Sequence, residues 1–118
     1  MHPSLTEFLY HIKDEIQFCT KETEGLNFGT FQDDPVLTRA VVRSLEIIGE
    51  ACKKLPPDFT AHFSLVPWKD MAGMRDRLIH HYFGVDLEIV WSTVKEDIPA
   101  LAIWIDPMIE YSRSNQSK

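Results

Sequence analysis

Cysteine, positive charge and long apolar runs are all scarce in this 118-residue chain, and each shortage narrows what it can do. Its two cysteines, Cys19 and Cys52, sit in apolar helical settings without metal-ligand spacing. A disulfide scaffold and a zinc-binding motif are therefore not expected; the pair reads as reduced, buried thiols in a cytosol. Lys and Arg number 12 against 18 Asp and Glu, a net charge of -6. Coating nucleic acid through bulk charge needs clustered cations, so that class is disfavoured while a local basic patch stays open. No apolar run approaches the ~18 residues needed to cross a membrane. The start, "MHPSLTEFLYHIKDEI", has neither a basic n-region nor a small-residue cleavage site, so it does not fit a signal peptide. A cytoplasmic protein with no membrane partner is expected. Period-two alternation is also missing, so no strand is expected.

What the chain does have is helix punctuation. Its hydrophobic share of 44% is ordinary for a globular protein, and its length suits one domain. Ser4 with Glu7 forms a capping box ahead of the apolar stripe Leu5, Phe8, Leu9, Ile12, Ile16 and Cys19. That helix should end near Gly25, with "FGTFQDD" a loop. Asp34 caps a second helix with Pro35 at its first position, and Pro56 and Pro57 stop it. "DFTAHF" suits a short helix or turn. Pro67 opens a third long helix running through Phe83 to a left-handed stop at Gly84. Asp86 caps the last helix, which runs towards Tyr111 with a kink or interruption at Pro99. Together these predict an all-α, antiparallel bundle of four to five helices over residues 1–112, with 113–118 a disordered tail.

Several polar groups break the apolar pattern. On a wheel of the third long helix at ~100° per residue, Trp68, Met71, Ala72, Leu78, Ile79 and Tyr82 flank Arg75. Arg75 is thus expected on the inward face, where it must meet a carboxylate, an interface or a phosphate. One outcome is a buried ion pair tying two helices together. In the second helix, Arg39, Arg43, Glu46 and Glu50 form a narrow charged stripe. It is either a solvated face with an Arg43–Glu46 pair or one wall of a polar cleft facing Arg75. His80 and His81 carry acid–base potential, since imidazole titrates near pH ~6.5. They could equally be exposed helix-end residues. Asp76, four residues before His80, could orient its ring or be an ordinary surface neighbour. Metal binding has little support: adjacent histidines diverge and no third ligand is apparent. Tyr82 suits a buried ring with a wet hydroxyl, open to modification.

Arg75, four residues, His80, one residue and Tyr82 spell Arg-x-x-x-x-His-x-Tyr. This resembles the signature of HepT-like toxins in the HEPN superfamily. The likeness extends through "TRAVVRSLEIIGEACKKLP", "VPWKDMAGMRDRLIHHYFGVDLEIVW" and "EDIPAL", and so covers nearly the whole chain. It implies a HEPN-like helical bundle that forms a homodimer, with the Arg and His lining a cleft at the dimer interface. It further implies metal-independent RNA cleavage without a cofactor, and a partner: a minimal nucleotidyltransferase antitoxin that adds AMP to the motif tyrosine. By position, His80 would be the acid–base residue, Arg75 the phosphate-binding cation and Tyr82 the AMP acceptor; Arg43, Glu46 and Glu50 match supporting positions. Besides the ribonuclease, two other classes stay open: a non-catalytic module partnering a nucleotidyltransferase, and a helical dimerisation domain with a structural Arg. On an ideal helix Arg75 and His80 diverge by about 140° and ~7.5 Å along the axis. One undistorted helix cannot easily aim both at one phosphate, so a site shared between two chains is expected.

Overall fold

The computed structural model describes the backbone of residues 4–80 and 84–116 and the side chains of 4–78 and 84–114. Helix α1 (Leu5–Thr23) starts where Ser4 Oγ accepts the Glu7 N–H at 3.1 Å, satisfying one of the first turn's orphan donors. Its Leu9, Ile12, Ile16 and Cys19 are buried, the single stripe that the 3-4-3 spacing requires. Residues expected to form a loop instead contain α2 (Phe28–Gln32), because Asn27 supplies a cap, accepting from Thr30 N–H at 2.8 Å. Phe31 then anchors the turn, fully buried with its ring 5.1 Å from that of Trp91. Burial overrides the weak helix propensity of Gly29 and Thr30.

Helix α3 (Pro35–Lys53) begins as expected, with Asp34 Oδ1 accepting from Leu37 N–H at 3.0 Å. Val41, Leu45 and Ile48 are fully buried, so α3 packs on α1 and on the segment that carries the Arg-His motif. The short α4 (Pro57–His62) follows the proline stop. Helix α1 also packs on the C-terminal helix α8 (Ile98–Gln116). Thr6 bonds Ser112 and Lys13 bonds Asp106, and a pairing that descends along one helix as it climbs the other means antiparallel packing. The all-α bundle is therefore the architecture of this chain. Helix α8 carries on to Gln116, into the stretch expected as a tail, and Arg113 hydrogen-bonds the Tyr10 hydroxyl.

Two departures matter for function. The expected third long helix does not exist as one element. It is α5 (Trp68–Ala72), a break at Gly73, α6 (Met74–Leu78), and then a strand β1 (Ile79–His80) paired antiparallel with β2 (Gly84–Val85). Gly84 does take a left-handed φ of 77°, but it opens a strand rather than closing a helix. The Asp86 N–H reaches the Leu78 carbonyl at 2.9 Å, in place of a continuing helical bond. The last helix is interrupted as Pro99 suggests. α7 (Leu87–Ser92), capped by Asp86, widens into a π turn over Thr93–Asp97 before α8. There the Ile98 N–H bonds back to Thr93, five residues away. Pro99 has no N–H for the Lys95 carbonyl and its ring crowds that oxygen; an extra residue in the turn relieves both.

Candidate functional site

Gly49 is what lets the motif segment come close to α3. A Cβ built on it would lie 3.0 Å from the Met71 carbonyl oxygen and 3.6 Å from the Met74 Cβ. A side chain at this position would crowd the Met71 backbone, which would have to give way by a few tenths of an ångström. One turn earlier on the same face of α3 stands Glu46, and the residue after Met74 is Arg75. The close approach therefore brings these two together: Arg75 Nε lies 3.7 Å from Glu46 Oε2.

The wheel placed Arg75 inward, and the structure corrects this. Its side chain is 64% exposed, against 20% for Glu46. The break at Gly73 resets the helical phase, so Met74 and Leu78 become the fully buried residues of α6 and Arg75 turns out along the rim of α3. The charged stripe of α3 does face the motif segment, but at Glu46; Arg39, Arg43 and Glu50 are exposed. At 3.7 Å the carboxylate is too far for a good hydrogen bond, yet it biases the guanidinium from its Nε side. Among the described residues no hydrogen bond engages the two terminal nitrogens. That fork is the group that can grip a phosphate in two places.

The ion pair envisaged for Arg75 is made by Arg77 instead, and it is only partly buried. Its Nη2 donates to Asp97 Oδ2 at 3.1 Å and lies 3.4 Å from Thr93 Oγ1, with side chains 37% and 28% exposed for Arg77 and Asp97. The sequence reading missed Arg77, Asp97 and Gly49. A helix wheel restarted at Gly73 would have put Arg77 beside the buried Met74 and Leu78.

His80 is described in backbone only, opposite Gly84 in the strand pair; His81 and Tyr82 lie outside the described residues. Asp76 is exposed on α6. Because the helix stops at Leu78, Asp76 and His80 do not have the i,i+4 relation that was to join them. The same ending removes the basis for the 140° divergence of Arg75 and His80, which assumed one continuous helix. The thiols of Cys19 and Cys52 are free and buried. Burial pushes Cys19 up to about 11 and Cys52 up to about 12, so neither offers a thiolate near neutral pH.

A profile of the family described as "Ribonuclease HepT-like" matches residues 12–108. A relative from Caldanaerobacter subterraneus subsp. tengcongensis, named as a candidate RNase, is 55% identical over 80% of this chain and 84% of its own length. A protein of Thermococcus cleftensis named "Probable ribonuclease HepT" is 46% identical over 86% of this chain and 92% of its own. A third, from Methanocaldococcus jannaschii and also named as a candidate RNase, is 47% identical over 78% and 76%. No solved structure gives a significant match.

Proposed function

The chain belongs to the ribonuclease HepT-like family, and on that premise we propose that it is a metal-independent endoribonuclease acting as the toxin of a toxin–antitoxin pair. The observation that carries the reading is Arg75: an exposed guanidinium biased at Nε by Glu46, its fork open, five residues before a motif histidine.

Cleaving RNA with these groups needs no bound ion to balance. An imidazole takes the 2'-hydroxyl proton, the 2'-oxygen attacks the adjacent phosphorus, and a second proton donor delivers a proton to the departing 5'-oxygen. The products are a 2',3'-cyclic phosphate and a free 5'-hydroxyl. Arg75 offers fixed charge and two N–H donors to the phosphorane oxygens as their charge grows. Proton transfer by a positioned histidine is worth ~10²–10⁴-fold. His80 takes that role by its place in the motif, His81 does not.

The remaining parts of the proposal follow from the family. Two chains form a homodimer in the cytoplasm with the Arg75 and His80 sites at their interface, and a minimal nucleotidyltransferase restrains the toxin by adding AMP to Tyr82. Such an addition sets a bulky phosphodiester near the cation that must hold RNA, where charge and size both oppose substrate.

The test is incubation of purified protein with total RNA in excess chelator, beside Arg75→Ala, His80→Ala and His81→Ala. Cleavage by the wild type and the His81 variant, lost in the other two with helical content unchanged, is the expected result. Nucleotide binding without any cleavage would replace the enzyme with a non-catalytic partner module.

A further inference from the structure

We propose that Arg77 is a positioning residue: its tie to Asp97 and Thr93 sets the rotation of α6 and thereby aims Arg75, an inference that rests on the ribonuclease reading above. Helix α6 has only five residues. A single turn of helix has little stability of its own, so its orientation is set by what its side chains touch. Met74 and Leu78 are fully buried and set which face of α6 is turned down, but apolar contact is non-directional. The rotation that burial leaves free is narrowed by a directional contact, and α6 has one on its far side. Arg77 follows Arg75 by two residues, about 200° around the axis, so pinning one points the other the opposite way. With Arg77 drawn to the π turn, Arg75 faces Glu46 of α3.

The receiving site is built for this cation. Thr93 is fully buried, and its hydroxyl donates to the Ile89 carbonyl at 2.8 Å. Its oxygen is left to accept, and the guanidinium, which has only donors, lies 3.4 Å away. Asp97 Oδ2 adds the opposite charge at 3.1 Å. Thr93 and Asp97 are the first and last residues of the π turn. Four residues apart, the two lie on one face of the helix and present both acceptors to one guanidinium, at a π turn of the kind frequent at functional sites. The tie also bears on the next stretch of chain, since the carbonyl of the adjoining Leu78 receives the Asp86 N–H at the base of the strand pair carrying His80.

A group acting this way does not touch RNA, so its loss should appear in turnover and not in binding. Arg77→Gln and Asp97→Asn are the matched variants: one removes the cation, the other leaves it and removes the carboxylate charge. Each should lower kcat by about 10- to 100-fold, the order expected for misplacing a catalytic group by ~1 Å, with KM and its salt dependence unchanged. Arg77→Lys, which keeps the charge but not the fork, should recover part of the loss. Hydrogen exchange at the Asp86 amide, which donates to the Leu78 carbonyl, should quicken in both matched variants; the wild-type reference for this exchange does not depend on any activity. Normal kcat in folded Arg77→Gln would overturn the positioning role even if its melting temperature fell. A raised KM with a weaker salt dependence in Arg77→Gln, but not in Asp97→Asn, would overturn it in favour of direct RNA contact. If the wild type cuts no RNA, the ribonuclease reading fails separately. Unchanged exchange at that amide would then also reject the tie to the strand pair.

Discussion

Replacing Gly49 by Ala tests whether the close approach of α3 to the motif segment positions the site. In an exposed helix interior this change stabilises by ~1 kcal/mol through helix propensity. Here the new methyl would meet the Met71 carbonyl oxygen at 3.0 Å and the Met74 Cβ at 3.6 Å. The first partner is backbone, so α5 and α6 must move away from α3 by a few tenths of an ångström. Overpacking of this kind costs about 1–3 kcal/mol, which leaves a net destabilisation of roughly 0–2 kcal/mol. A loss of 1 kcal/mol corresponds to ~3–6 °C in a chain of this size. Thermal melting by circular dichroism reads the first effect, and single-turnover RNA cleavage reads the second. Cleavage should fall further than the small loss of stability explains, because the shift separates Arg75 from Glu46. Gly25→Ala is the control: nothing lies within 4 Å of its Cβ position, but φ is +76°, a strain of ~1–2 kcal/mol far from Arg75 in the sequence. It should melt lower and cleave normally. A Gly49 variant that melts higher by the full propensity gain, with cleavage intact, would refute the reasoning.

Other outcomes follow from the same account. Incubation with ATP, Mg²⁺ and the cognate nucleotidyltransferase should raise the intact mass by whole AMP units, and Tyr82→Phe should abolish the gain; unchanged labelling would put the acceptor elsewhere. Mixing inactive Arg75→Ala and His80→Ala chains should restore part of the cleavage if each site takes Arg75 from one chain and His80 from the other; silence from demonstrated mixed dimers would place both groups in one chain. Burial holds the protons on Cys19 and Cys52 up to about 11 and about 12, against an ordinary 9.0. The folded state therefore binds more protons than the unfolded one between those values. Stability from this source is complete below about pH 9 and declines as pH rises towards 11–12. Melting temperatures from pH 8 to 11 should fall, and the fall should flatten in the Cys19→Ala, Cys52→Ala double variant; an equal slope would assign it to other groups.

The bundle was legible because its signals are local. Ser4, Asp34 and Asp86 each cap the helix they precede, and the apolar spacing of α1 and α3 matches their buried faces. α2 was not legible, since its weak formers are held by Phe31 packing on a Trp91 sixty residues away. The motif segment was misread for one physical reason. A wheel assumes unbroken phase, and the break at Gly73 and the strand at Ile79 reset it on both sides of α6. Arg75 was given the wrong surroundings, and the half-buried pair went to Arg77. The facing of α3 towards the motif was right at Glu46, where the charged stripe contains a residue one turn from a glycine small enough to admit another backbone. Asp97 drew no notice because its partner is Arg77, whose place beside Met74 and Leu78 shows only when the helical phase restarts at Gly73.

The central claim, that this chain cuts RNA through the substrate's own 2'-hydroxyl with Arg75 and His80 and without a metal, is tested most directly by the chemistry of the ends. A defined oligoribonucleotide is cleaved in excess chelator and its fragments are read by mass spectrometry, beside the same strand carrying a single 2'-deoxynucleotide at the mapped cut. The account predicts a 2',3'-cyclic phosphate on the upstream fragment, a 5'-hydroxyl on the downstream one, and no cut in the deoxy-substituted strand. Fragments carrying a 5'-phosphate, or cleavage that persists at the deoxy position, would contradict it.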